Sequence, residues 1–332
     1  MRIFDCTLRD GANVVGKGFD KKLTIMMIEG LIRAGITTIE MGNALGLGAY
    51  EANQSIAPCT DLEYATLAKP YLEQAEIGMF IGFRNATQEN ADFAAEHRLR
   101  FLRVGANAGD GKLAEEGIKR IKNAGVKCCY SLMKAYILDE NALAEEAKML
   151  EGFGLDEITI MDSAGTMLPD QVARYTEKMA KAVNIPVAFH GHDNLGLAVA
   201  NALAAYENGA QVLDAGLLGM ARSAGNCATE LLAAAFHRKG QLQNVNLFNL
   251  LDFLDNELIP EMKQHHYHHY VNPVDIVYGI AGCHSSFAEL LKETAQKHQV
   301  SHYRLILEVS KVDQKAPSKE LMNDIAKKMK EE

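Results

Sequence analysis

Through its first 240 residues the chain keeps a regular alternation between short apolar runs and longer stretches with helical spacing. The apolar runs are Ile3–Leu8, Thr37–Met41, Ile77–Ile81, Phe101–Val104, Lys127–Met133, Glu157–Met161, Val187–Phe189 and Val212–Ala215. Between them lie patterns such as Lys22–Arg33, where Leu23, Met26, Met27 and Leu31 share a face and Gly35 supplies a stop. Eight strands, each followed by a helix, are the pattern of a parallel barrel. A doubly wound open sheet is the runner-up. No GxGxxG follows the first run, and open sheets rarely reach eight βα units, so the barrel is preferred. The expected fold is α/β, a (β/α)8 TIM barrel over residues 1–258 with a small, mostly helical C-terminal domain over 259–332.

The alternation stops in that last part. Phe248–Leu258 is apolar at helical spacing, Ser285–Lys297 and Lys319–Met329 read as helices, and Tyr303–Val309 between them reads as strand-like. The final helix is charged and amphipathic, a solvated surface helix or else a docking face for a partner. The tract His265-His266-Tyr267-His268-His269-Tyr270 reads as an exposed polar stretch. A second metal site there is the alternative, although ligand imidazoles are normally separated by turns.

Barrel enzymes carry their chemistry at the carboxyl ends of the strands. The polar residues at those ends are Arg9-Asp10, Asn43, Arg84, Lys134, Asp162-Ser163 and His190-Gly191-His192. Side chains in a strand repeat every two residues, so His190 and His192 leave one face and make half of a metal site. Two unrelated polar residues in a turn are the alternative. Asp10 is the natural third ligand. One carboxylate and two imidazoles leave coordination positions open, which suits a catalytic divalent ion: Mn2+ first, with Mg2+, Co2+ or Zn2+ as alternatives. Asn226, in SAGNCATE after the eighth strand, can offer an amide oxygen to that ion or can simply cap the following helix. Arg9 is suited to holding an enolate oxygen, because guanidinium is planar and always charged. Ser163 and nearby backbone N–H groups can hold a substrate carboxylate, with Asp162 orienting its neighbours.

The 332 residues are 48% hydrophobic and 23% charged, enough for a large core. The net charge of -9 comes without a basic stripe, which argues against a nucleic-acid partner. The opening MRIFDCTLRDG lacks signal-peptide architecture and no run can span a bilayer, so the expectation is a cytoplasmic protein without a membrane role. Its six cysteines show no CxxC spacing and read as reduced, buried thiols.

DCTLRDG, MDSAGTM, HGHDNLG and SAGNCATE stand in the order and spacing of the DRE-TIM metallolyases. Within that superfamily the chain most resembles the 4-hydroxy-2-oxovalerate aldolases, including GIAGCHSSFAELL in the appendage, which looks like their small C-terminal domain. The resemblance implies Asp10, His190 and His192 as metal ligands, with Asn226 matching a ligand of the acyl-CoA lyase branch. It implies Arg9 as the residue that stabilises the pyruvate enolate and Ser163 as a contact of the pyruvate carboxylate. The implied reaction is retro-aldol cleavage of a 4-hydroxy-2-oxoacid to pyruvate and an aldehyde. The implied partners are the small-molecule 2-oxoacid, an acylating aldehyde dehydrogenase and further copies in a homo-oligomer.

The chain also departs from that pattern. The aldolases' catalytic base, a histidine two residues past the glycine of RDG, is Asn13 here, and an amide cannot accept the proton. Where the aldolases place tyrosines, the nearest residues are Ile280 and His284, and GNALGLGA replaces their HGDGLG-like loop. The aldehyde end of the site is therefore rewritten. Lys134 and His284 are the candidates to take over as base, and a Schiff base through Lys134 is a weaker rival. Two other functions compete with the aldolase: an acyl-CoA lyase or 2-oxoacid acyltransferase of the same superfamily, and a barrel without a base that serves as partner subunit of a dehydrogenase.

Overall fold

In the computed structural model, eight parallel strands close into a barrel in sequence order, and β1 pairs with both β2 and β8. They are β1 (Arg2–Asp5), β2 (Thr38–Met41), β3 (Glu76–Gly82), β4 (Phe101–Asn107), β5 (Lys127–Met133), β6 (Glu157–Asp162), β7 (Val187–Gly191) and β8 (Val212–Ala215). The structure describes all residues except Asn53, 268–272 and Glu332. Among the described residues no helix is long and apolar enough to cross a membrane.

The strands are predominantly apolar because each is covered twice, by the barrel interior and by the ring of helices. Phe4, Phe101, Cys129, Ala188 and Val212 point inward and plug the amino-terminal end of the barrel. Two residues further along β4, β7 and β8 come Arg103, His190 and Asp214, all buried. A strand's period of two thus places a polar layer directly above an apolar plug. The helices are stopped and started by local chemistry: Asp20 caps Lys21–Arg33 by accepting from Leu23 N, and Thr60 and Glu63 form a reciprocal capping box at Asp61–Ala68.

The main hydrophobic core runs from Ile3 to Met262. A second, separate core holds Tyr278, Leu291, Leu305, Ile306, Val309 and Met322. It belongs to four helices, Pro273–Ala281, Ala288–His298, His302–Val312 and Lys319–Glu331. The strand-like reading of Tyr303–Val309 is corrected here: the segment lies inside the helix His302–Val312, which Ser301 caps. Its buried residues, Leu305, Ile306 and Val309, fall at helical spacing. The barrel is closed, so it leaves no edge for another strand. Of the histidine-rich tract, His268 and His269 lie outside the described residues, while His265 and His266 form the turn after the helix Ile259–Gln264.

The appendage is seated on the barrel mouth through close backbone approach. A Cβ on Gly279 would meet Leu195 Cδ2 at 2.9 Å and Asn194 Cβ at 3.0 Å. From the barrel side, Asn194 Nδ2 donates to the carbonyl of Asp275 at 3.0 Å, and the Lys134 ammonium donates to the carbonyl of Lys315.

Asp5, fully buried at the end of β1, accepts from Thr7 N and from Thr229 Oγ1, each at 3.0 Å. Burial nevertheless pushes its carboxyl up to about 7. The folded chain keeps this proton above the unfolded value of about 4. Stability contributed here is therefore full in acid and falls as pH rises from about 4 towards 7, by a few kcal/mol. Asp5→Asn, which retains an acceptor for Thr7 N, should flatten that part of the stability profile. Urea melts at pH 5 and pH 8 would show it, and an unchanged slope would rule Asp5 out.

Candidate metal centre and active site

The mouth of the barrel gathers residues from both ends of the sequence. After β1 the chain turns tightly, with Asp10 N donating to Cys6 O at 2.8 Å, and this turn aims Asp10 inward. His190 is in β7 and His192 is one residue past its end, with ring centroids 5.3 Å apart. The loop after β8 is stitched to the end of β7: Asp193 N donates to Gly225 O at 2.9 Å and Cys227 N to Gly191 O at 3.1 Å. That stitching places Asn226 beside Asp10, to whose Oδ2 it donates at 2.9 Å.

Asp10 Oδ2 lies 3.7 Å from His190 Nε2 and 3.9 Å from His192 Nε2. Ligand bonds of about 2.0–2.2 Å bridge donors at such separations. His190 Nε2 and Asn226 Oδ1 are buried without a hydrogen-bond partner, which is costly unless something else binds them. The ligand atoms of Asp10, His190 and His192 lie within 4.8 Å of one another, a grouping that fits a divalent cation, with the Asn226 amide alongside. Burial opposes charge on Asp10, yet Arg9, then His192, His190 and Arg222, hold its carboxyl well below the usual range. Burial pushes His192 down to about 3, so its ring is neutral and able to ligate.

A second grouping, Cys6 with His190 and Asp214, is already committed elsewhere. Burial holds the Cys6 thiol well above its ordinary value, and it donates to Ala215 O at 3.2 Å. Asp214 Oδ2 accepts from His190 Nδ1 at 3.0 Å. That bond fixes which ring nitrogen faces the mouth, as carboxylates commonly do behind ligand histidines.

Asp214 is one member of a closed ring of buried charge. Arg103 pairs with it and also clasps Glu40 through both carboxylate oxygens, at 2.7 and 2.9 Å. Glu40 accepts from Arg9 Nε at 2.6 Å, and Arg9 Nη1 lies 3.1 Å from Asp10 Oδ1. The ring therefore runs Asp10, Arg9, Glu40, Arg103, Asp214, His190 and back to Asp10. The sequence reading missed Glu40, Arg103 and Asp214. Their signal was a charge inside each of the strands TIEM, FLRVGAN and VLDA, where both faces are buried and a charge must find a partner. Arg9 Nη2 remains buried and without a partner, with the guanidinium 4.7 Å over the Phe80 ring. One of its donors is thus left for a ligand.

Ser163 is buried at the end of β6, and its Oγ accepts from the backbone N–H of Lys134 at 2.9 Å, so the hydroxyl proton stays available to a ligand. The turn around it is closed by Asp162, which accepts from Thr166 N and Met167 N at 3.0 and 2.9 Å. Gly165 has φ +57°, and a Cβ there would meet Asn194 N at 2.6 Å and His192 O at 2.7 Å. Only glycine lets this turn lie against the histidine strand.

The two candidate bases differ in setting. Lys134 adopts a left-handed backbone, φ +55°, and its ammonium is held by the Lys315 carbonyl, 5.2 Å over the Phe287 ring. His284 is half-buried in the appendage, where its Nδ1 accepts from Ser286 N at 3.2 Å and lies 2.8 Å from Ser286 Oγ. Burial, and then the charges of Arg222 and Lys134 and the ring of His192, push His284 down to about 3, so its ring is neutral. Asn13 donates from Nδ2 to the Asp10 carbonyl at 2.9 Å and accepts from Arg222 Nη2 at 3.2 Å. Arg222 carried no sequence signal, since nothing marks one arginine among loop residues.

Residues 1–256 match the HMGL-like family. A 4-hydroxy-2-oxovalerate aldolase of Nocardia farcinica is 34% identical over 327 residues, covering 98% of this chain and 94% of the relative. An oxaloacetate decarboxylase of Mycobacterium tuberculosis is 32% identical, covering 93% of this chain and 90% of that one. Among solved structures, the carboxyl transferase domain of Rhizobium etli pyruvate carboxylase, determined with pyruvate, superposes with a TM-score of 0.76 at 16% identity. It covers 99% of this chain and 60% of that one, and the likeness is one of fold.

Proposed function

Since the chain belongs to the HMGL-like family, we propose that it is a divalent-metal-dependent aldolase, a carbon–carbon lyase that cleaves a 4-hydroxy-2-oxoacid to pyruvate and an aldehyde. The observation that carries this reading is the convergence of Asp10, His190 and His192 on one point, beside the unpartnered Nη2 of Arg9. A divalent ion held by those three residues and the Asn226 amide oxygen, with Mn2+ as the first candidate, supplies Lewis acidity that lowers the energy of an enolate. Arg9 adds a fixed positive charge where enolate charge develops, at no cost of reorganisation because Glu40 and Asp10 already hold it in place. The Ser163 hydroxyl is oriented to donate to the 2-oxoacid carboxylate. Asn13 takes no proton.

We assign the proton of the 4-hydroxyl to His284. Its ring is neutral with the lone pair on Nδ1, which accepts from Ser286 N at 3.2 Å, so in this role Nδ1 exchanges that contact for the 4-hydroxyl. Lys134 instead latches the appendage through the Lys315 carbonyl. His284→Ala should lower kcat/KM for cleavage by about 10²–10⁴-fold, the usual contribution of a positioned base. Cleavage that survives this change intact would remove His284 from the role.

The test of the reaction class is exchange of pyruvate methyl protons in deuterated buffer, followed by NMR. Chelator-treated protein should be silent, and Mn2+ should restore exchange. Exchange that is indifferent to chelation, or absent with every divalent ion, would sink the reading. Coupled to pyruvate detection, a panel of 4-hydroxy-2-oxoacids would then identify the aldehyde.

A further inference from the structure

A cavity of about 630 Å³ lies between the barrel mouth and the appendage, and its barrel side includes Asn13, which is bonded to the Asp10 carbonyl, and Arg222. Tyr278, Lys292 and His302 line its appendage side. Arg222 is half-buried, and among the described residues no carboxylate lies within ion-pair distance of it. Its one hydrogen-bond partner there is Asn13 Oδ1, and Asn13 is itself anchored to the Asp10 carbonyl. The two carboxylates that line the cavity leave it unpaired: Asp275 Oδ1 accepts from Ser223 Oγ at 2.9 Å, and Glu289 is on an appendage helix. A half-buried guanidinium, steered by an amide, lining an open cavity and without a carboxylate in ion-pair distance among the described residues is placed to pair with an anion that enters the cavity.

We propose that Arg222, oriented by Asn13, binds a second carboxylate at the aldehyde end of the substrate, so that the substrate is a 2-oxo dicarboxylate. This deepens the aldolase reading and rests on it for the identity of the pyruvate half. In the cleavage, the C3–C4 bond breaks and its electron pair stays on C3 as the pyruvate enolate, which takes a proton from water. The 4-hydroxyl gives up its proton, and C4 leaves as an aldehyde that bears the carboxylate. Arg9 is already shared between Glu40 and Asp10, whereas Arg222 has no carboxylate within ion-pair distance among the described residues, so it is the cation left to meet a second substrate carboxylate.

The test compares two five-carbon probes that differ only at C5, 2-oxoglutarate and 2-oxovalerate, titrated calorimetrically into Mn2+-loaded protein. Wild type should bind the dicarboxylate about 10- to 100-fold more tightly, the range expected for a hydrogen-bonded ion pair. Arg222→Met should bring the two within about threefold, and Arg222→Lys should recover part of the difference. Circular dichroism would establish that both variants are folded. Equal binding in wild type, no binding of either probe, or a preference that persists in folded Arg222→Met would overturn the proposal. Pyruvate proton exchange reports separately on the parent reading. Its absence alongside an Arg222-dependent preference would remove the aldolase and leave the anion site standing.

Discussion

Asp10→Asn will reduce metal-dependent exchange of pyruvate methyl protons by at least about a thousandfold, since a single preorganised charge-stabilising group is commonly worth 10²–10³ and here the metal goes with it. The substitution conserves volume and removes the only carboxylate among the proposed ligands. Asp10 Oδ2 is the shared neighbour of His190 Nε2, His192 Nε2 and Asn226 Nδ2. The neutral amide keeps one oxygen but withdraws the negative charge that makes a site of two imidazoles attractive to a hard cation. It also deprives Arg9 of one of its two anionic partners. Mn2+ binding by calorimetry should weaken in parallel, while circular dichroism stays that of wild type. Exchange retained within tenfold would mean that Asp10 is not a ligand.

Arg103→Met will destabilise the chain by about 3–5 kcal/mol, the usual result of removing one partner from a buried ionic cluster. Arg103 is fully buried, clasps Glu40 at 2.7 and 2.9 Å, pairs with Asp214 and lies 4.2 Å over the Phe4 ring. Methionine fills much of the same space yet leaves two carboxylates in the interior. Glu40 would keep only Arg9, and Asp214 only His190. Urea unfolding with the metal chelated isolates this effect from ion binding. A loss below about 1 kcal/mol would mean that both carboxylates protonate without penalty, and that the ring serves specificity more than stability.

The eight-strand alternation could be read from the sequence because a strand covered on both faces must be apolar, which makes each run stand out. His190 and His192 could be read because a period of two is enough to put them side by side. Asp10 required the further assumption of closure, which brings β1 and β7 to either side of β8. Tyr303–Val309 misled because a dense apolar run looks alike in a strand and in a buried helix face. Only the absence of an open sheet edge decides between them. The ring through Glu40, Arg103 and Asp214 was hidden for a different reason. Each charge is visible alone, but their partners are 63 and 111 residues apart along the chain, and only the folded barrel brings them together. Arg222 was the least legible, because what distinguishes it is a missing partner.

At the junction between barrel and appendage, Asn194 and Lys134 reach across from the barrel to main-chain oxygens, those of Asp275 and Lys315. Those oxygens would be there whatever residues followed them. The barrel can therefore hold the same lid while the side chains on its underside are exchanged. Such a design lets one lineage refit its substrate gate in the tail of the protein and leave the reaction centre as it was.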